Sequence, residues 1–334
     1  MTRSRISVTT GLVLFGLALF VTGCTGSHTY MLSGTFLTTG YSIKIVGSYD
    51  EARLQSLQEG INTTLDDIEA LIAPNYPGGS ELALLNDTES GEFILLSAPM
   101  AQVMRNALAM TLLTNGAFTV SRSSKNALAG EVAMTRNGKR DSVVAAASGK
   151  DVYHGMQLIG TALIKYRPVQ VDLAAISEGY AVDRIADYLV TENVTDYLVE
   201  LGGLIRTHGR KEDNQPWRIM TAIPGQCGDR PLPVVELNDR DASAVFIDHQ
   251  NIANDDRSQG WEAVSTADSR IYAAAVIADY GLQAEALAAA FGALAPEKGL
   301  ELAERENIAA SLVVQTHNEL STRYSSAFAS YLRK

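Results

Sequence analysis

The chain has 334 residues, 46% of them hydrophobic and 19% charged, with a formal net charge of −11. That composition is globular, and the length is enough for one large domain or two closely packed subdomains to bury a core without cross-links. The acidic balance excludes nucleic acid and anionic membrane surfaces as partners.

Residues 1–23 stand apart from the rest. Arg3 and Arg5 precede an apolar run from Gly11 to Val21, which is about half of the roughly 20 residues needed to span a bilayer and therefore reads as a signal peptide. Val21-Thr22-Gly23-Cys24 resembles a bacterial lipobox, in which the cysteine becomes the lipidated first residue of the mature protein; an ordinary signal cleaved nearby, with Cys24 incidental, is the alternative. Acylation of Cys24 would anchor a soluble domain to a membrane, and Thr25 in the next position resembles outer-membrane sorting on the periplasmic side. Residues 24–31 are then a lipidated tether and 32–334 a single domain. Cys227 is the other cysteine, so an acylated Cys24 leaves no intramolecular disulfide and no cysteine-based metal site.

Alternation in "YSIKIVGSY" predicts a strand over 41–49. Leu54, Leu57, Ile61, Leu65, Ile68 and Leu71 recur at helical spacing and predict a helix over 50–72. "APNYPGG", 73–79, is a turn, Ser80 is placed to cap the segment that follows, and a further helix over about 98–114 stops at Asn115-Gly116. Residues 119–150 are polar and weakly patterned, an insertion with loop character. "VDLAAISEGYAVDRIADYL", 171–189, runs from a strand-like stretch into an amphipathic helix expected to open at Ser177. "DYLVELGGLIRTHGR" and "PWRIMTAIP" read as two strands, 239–262 as polar with few structural cues, "IYAAAVIAD" as a buried strand and "LQAEALAAAFGAL" as an alanine-rich helix. Strands and helices mix without a steady β-α-β beat, so the fold class is α+β, with mixed or antiparallel sheets and packed helices.

Several segments could carry chemistry. The strand-to-helix corner at 171–189 offers unpaired N–H groups suited to phosphate, with Gly179 for close backbone approach and Asp172 and Glu178 beside it; a helix start capped by Ser177 explains the same residues. The glycine pair in "ELGGLI" suits either a tight turn or close packing on a backbone or ligand. Tyr76 could stack on a planar ring or simply belong to its turn. Glu285 on an alanine-rich helix reads by itself as a solvated carboxylate. The five histidines show no metal-ligand spacing, and the hydrolase and kinase motifs are absent.

The order of these segments is more specific than any one of them. The lipobox, "SGTFLTTGYSIKI", "NYPGGSELALLN", "NGAFTVS", "VDLAAISEGYAVDRIADYL", "YLVELGGLIRTHG", "PWRIMTAIP" and "AEALAAAFGALAPEKGLELA" together resemble the ApbE family of periplasmic flavin-transferring lipoproteins across nearly all of residues 30–330. The resemblance implies an FAD:protein FMN transferase that uses FAD as substrate and Mg²⁺ to pass FMN, through a phosphoester, to a Ser or Thr of an exported flavoprotein acceptor. By that resemblance Ser33, Tyr76, Ala117, Phe118, Thr119, Asp172 and Glu178 fall at FAD-contacting positions. The backbone carbonyl of Ala175 and the carboxylate of Glu285 fall at magnesium-ligating ones.

The chain departs from the family pattern in places. Glu285 stands where relatives have an aspartate, Ala289 where they have a threonine, and Thr119 where an aspartate follows Gly-Ala-Phe. The family's His-x-Ile-Asp-Pro-x-Thr-Gly block has no counterpart in 246–268, which holds His249 and scattered aspartates. These departures leave open a catalytically degenerate accessory lipoprotein that binds FAD or a protein partner.

Overall fold

The computed structural model describes residues 28–122, 155–220, 234–237, 242–248, 269–317 and 319–332. The signal stretch 1–23, Cys24, Cys227, His249 and residues 123–150 of the expected insertion lie outside the described residues.

Strands β1 (His28–Phe36) and β2 (Thr39–Gly47) form a hairpin. Helix α1 (Glu51–Ile72) follows, capped by Asp50, whose Oδ1 accepts from the Arg53 N–H at 2.8 Å. Helix α2 (Glu81–Asp87) starts on Ser80, whose hydroxyl accepts from the Ala83 N–H. Next come β3 (Phe93–Leu95), α3 (Ala98–Leu113), β4 (Ser121–Arg122), β5 (Met156–Ile159), β6 (Ala162–Lys165), β7 (Gln170–Val171) and α4 (Ala174–Thr191). The second half runs β8 (Tyr197–Leu201), β9 (Leu204–His208), β10 (Trp217–Met220), β11 (Val234–Leu237), β12 (Ala242–Asp248) and β13 (Ser269–Ala278). It ends with α5 (Gly281–Gly292), α6 (Pro296–Arg305), β14 (Ala309–Thr316), β15 (Glu319–Tyr324) and α7 (Ser326–Ala329).

The main sheet has eight strands in the order β1-β2-β8-β9-β12-β13-β14-β15, antiparallel throughout. The α+β expectation holds. One face, with Ile43, Ile45, Val199 and Val276, packs against α1, α3, α4 and α5 in the principal core. The other, with Val46, Ala275 and Ile277, is covered by β10, β11 and Phe328 of α7. This double cover explains why β13 is apolar without alternation, since a strand buried on both faces has no solvent side to make polar.

Helix α5 is buried around most of its circumference, from Ala284 through Ala286–Gly292. Its small side chains let α4 approach closely. A Cβ on Gly179 of α4 would lie 2.5 Å from the Gly281 carbonyl oxygen, and a Cβ on Gly281 would lie 2.8 Å from that of Gly179. The two helices thus meet glycine to glycine. Asp183, one turn along α4, locks the contact: Oδ1 accepts from the Gly281 N–H at 2.7 Å and Oδ2 from the Leu282 N–H at 3.1 Å. It also accepts from Arg206 Nη1 on β9, both side chains being buried.

The structure corrects four expectations. Strand β1 begins at His28, inside the stretch read as tether. "DYLVELGGLIRTHGR" is two strands, not one, because Gly202 and Gly203 both take positive φ (61° and 87°) and turn the chain between the paired Leu201 and Leu204; two left-handed residues suit a tight hairpin. The polar region 239–262 contains β12, in the middle of the sheet. Helix α4 opens at Ala174, so Ser177 lies within it and donates to the Ala174 carbonyl at 3.0 Å. The capping contact comes from Asp172, whose Oδ1 accepts from the Ala174 N–H at 2.9 Å.

Asp183→Ala should destabilise the protein by about 3–5 kcal/mol in urea unfolding, because it removes the carboxylate paired with a buried guanidinium and uncaps α5.

Candidate functional site

The glycine contact places a carboxylate. Glu285 stands one turn into α5, and its Oε2 accepts from the Gly179 N–H at 2.7 Å. In a helix that N–H points toward the carbonyl four residues back, which is the position of Ala175, so the Glu285 carboxylate meets the first turns of α4. Glu285 is not the solvated residue its neighbours in sequence suggest.

Glu178 sits beside this point. Its Oε1 accepts from the Thr39 hydroxyl of β2 at 2.9 Å, and its other oxygen lies where a side chain on Gly202 would be. The glycine pair makes the hairpin turn, and Gly202 also leaves room for the Glu178 side chain. The Glu285 carboxyl is held well above the ordinary carboxylate range, first by burial and then by the charge of Glu178, with Asp183 adding to the effect and the Gly179 N–H opposing it.

A second locus lies at the start of α4. A cavity of about 540 Å³ is walled by Ser80, Asn86, Arg122, Gln170, Val171 and Asp172, among others. The Asp172 carboxylate spans the Ala174 N–H and Arg122, which it pairs at 3.0 Å. Tyr76 is half-buried in the turn that supplies Pro74 and Ser80 to this wall.

The remaining expected site residues are dispersed. Ala117 lines a separate cavity of about 380 Å³ between the end of α3 and α6. Phe118 is fully buried in the core, and the Thr119 hydroxyl accepts from the Ser121 N–H. Ser33 pairs across the sheet with Ser42, and Ser42 with Glu200, whereas Leu32, Ile43 and Val199 occupy the helix-facing core. Side chains alternate along strands, so Ser33 faces away from α4 and α5 and is not gathered with Glu178 and Glu285. Ala289 is a buried core residue. Among the described residues, no cluster of three or more His, Cys, Asp and Glu forms a ready metal cage.

Thr39, Gly281, Asp183, Arg206 and Asn86 were not among the residues singled out from sequence. Asp183 looks like an ordinary polar residue of an amphipathic helix, and its partners are 23 and 98 positions away.

A family model described as the ApbE family matches residues 37–312. The chain belongs to the ApbE family. Several relatives of this ApbE-family chain match nearly all of it. One from Vibrio cholerae, named FAD:protein FMN transferase, is 27% identical over 332 residues, covering 97% of this chain and 99% of the relative. Another of that name from Haemophilus influenzae is 28% identical over 339 residues, covering 95% and 96%. Among solved structures, the apo form of Pseudomonas stutzeri flavinyl transferase ApbE superposes with a TM-score of 0.73 at 25% identity, over 92% of this chain and 97% of that one. The flavin transferase ApbE of Vibrio cholerae has the same fold, with a TM-score of 0.72 at 24% identity, over 92% and 100%.

The raised Glu285 carboxyl has a consequence for stability. Its folded pKa lies above the unfolded value near 4.5, so the folded state holds the extra proton and stability falls as pH rises through the window above 4.5. Glu285→Gln keeps an acceptor for the Gly179 N–H and has no charge to desolvate. Its Tm should exceed that of the wild type at about pH 8 and match it near pH 4 in metal-free buffer; a lower Tm at about pH 8 would count against the burial argument.

Proposed function

We propose that this chain is an FAD:protein FMN transferase, and that the α4–α5 crossing holds the diphosphate of FAD through a divalent cation. The observation that carries the reading is the Glu285 carboxylate seated on the Gly179 N–H, within range of the Glu178 charge, in a chain that its transferase relatives match along almost their whole length. In the reaction, a Ser or Thr hydroxyl of the acceptor attacks the FMN phosphorus. The bond from that phosphorus to the AMP oxygen breaks, AMP leaves, the hydroxyl proton is released and a phosphoester joins FMN to the acceptor.

The donors fit Mg²⁺. Carboxylate and carbonyl oxygens are the hard ligands it takes, and it commonly uses one or two carboxylates together with waters and substrate phosphates. Burial lifts the Glu285 carboxyl first and the Glu178 charge second, and a cation would relieve the repulsion between the two carboxylates. Glu285 and the Ala175 carbonyl would hold the ion, and the Ala289 side chain supplies no oxygen. When bound, Mg²⁺ neutralises charge on the diphosphate and on the departing AMP.

The chain's own residues set the geometry around that point. Thr39 fixes Glu178 by its hydroxyl, and the glycine contact keeps α5 at the distance that brings Glu285 to the helix start. Asp172 and Arg122 present one negative and one positive group in the neighbouring cavity, suited to the hydrogen-bonding and phosphate parts of FAD respectively. We further assign the segment 1–23 to export and Cys24 to lipid anchoring on the periplasmic side of a bacterial membrane, with an exported flavoprotein as acceptor. The signal-like and lipobox-like residues support that assignment. Among the described residues no helix is long and apolar enough to cross a membrane.

A second reading, flavin binding without transfer, is favoured by Ala289, whose methyl group occupies the core where an oxygen donor would have helped. Incubation with FAD, excess Mg²⁺ and an exported flavoprotein whose Ser or Thr can accept FMN, with bound flavin followed by absorbance and AMP by chromatography, separates the two. Transfer predicts AMP only when Mg²⁺ is present, and Glu285→Ala should reduce its release by about a hundredfold. FAD retained intact would establish the binding protein instead.

A further inference from the structure

We infer that Lys165 and Asn86 are positioning residues for Asp172: the Lys165 ammonium clamps the last turn of α2, and Asn86, held there, grips the backbone of Val171 immediately before Asp172 in the cavity wall. This inference rests on the FAD-transfer reading and extends it to residues outside the α4–α5 crossing.

Lys165 is 2% exposed, and a buried ammonium requires partners. It has them: Nζ donates to the Asn86 carbonyl at 3.1 Å and to the Thr88 carbonyl at 3.0 Å. These carbonyls lie at the C-terminal end of α2, where helix oxygens lack intrahelical donors and a cation is favourable. Burial pulls the Lys165 ammonium down from its ordinary range, opposed by Asp87.

Asn86 transmits this hold. Its Oδ1 accepts from the Val171 N–H at 2.7 Å, and its Nδ2 donates to the Val171 carbonyl at 2.9 Å. A carboxamide can accept and donate at once, so Asn86 pairs with Val171 as a neighbouring strand would. Gln170 donates to the same Asn86 carbonyl that Lys165 holds. On the other side, β4 pairs Ser121 with Val171, and the Asp172 N–H donates to the Val120 carbonyl at 2.8 Å. Asp172 is therefore fixed from two sides, and Asn86, Val171 and Asp172 share one cavity wall.

The test uses the full chain in detergent and two variants, Lys165→Met and Asn86→Asp. The first removes the clamp with little change of shape; the second keeps the acceptor for Val171 and replaces the donor. In both, KM for FAD in AMP release, measured with a saturating Ser- or Thr-bearing flavoprotein acceptor, should rise about tenfold with kcat within about twofold of wild type. Adding Asp172→Asn to Asn86→Asp should raise KM no further, since the two changes act on one contact. Amide exchange at Val171, read by mass spectrometry, should quicken in both variants whether or not FAD is turned over. An unchanged KM with unchanged exchange in a folded variant would overturn the inference, as would a fall in kcat alone or loss of fold in both variants. A wild-type protein that releases no AMP and binds no FAD would instead overturn the transferase reading, and the exchange measurement would still decide the positioning role.

Discussion

The site depends on the closeness of two helices. Gly179 and Gly281 let α4 and α5 touch backbone to backbone, with no room for a Cβ on either side. From that contact follow the reach of Glu285 to the Gly179 N–H and its proximity to Glu178. The alanines of α5 belong to the same constraint, because larger side chains would hold the helices apart. A glycine that looked suited to approaching a phosphate proves to be the point where one helix approaches another.

Electrostatics makes this crossing costly to assemble. Asp183 and Arg206 form a buried ion pair, which stabilises little in itself but cannot lose one partner cheaply. Asp183 also ties that pair to the first N–H groups of α5, so the fold's buried charge and the position of Glu285 are set by one side chain. Glu285 then sits near a second carboxylate in a desolvated position. Such strain against stability is typical of functional sites, and a cation brought by a diphosphate substrate would relieve it.

Much of this was legible in the sequence, for identifiable reasons. Helix α1 shows a long 3.6-residue apolar period, and Asp50 and Ser80 are the side chains expected at helix starts. The corner at 171–189 and the alanine-rich helix were visible as distinct segments. What pattern could not supply was their pairing. Strand β12 is set among acidic and amide residues, and it becomes a central strand only because β9 and β13 flank it. Likewise, Ser177 is the residue type that caps helices, but Asp172 captures the first N–H and moves the helix start three residues upstream. Glu285 appeared solvated because it is a lone carboxylate on an alanine-rich helix; its partner Gly179 is 106 positions away.

The most direct test is Gly179→Ala, which adds one methyl group at the crossing and alters no charged or ligating side chain. Tm would be measured for the wild type and the variant with FAD alone, Mg²⁺ alone and both together. If the crossing builds the site, FAD and Mg²⁺ together stabilise the wild type beyond the sum of either alone, and the folded variant loses that surplus. A folded Gly179→Ala protein that keeps the full surplus would contradict the account.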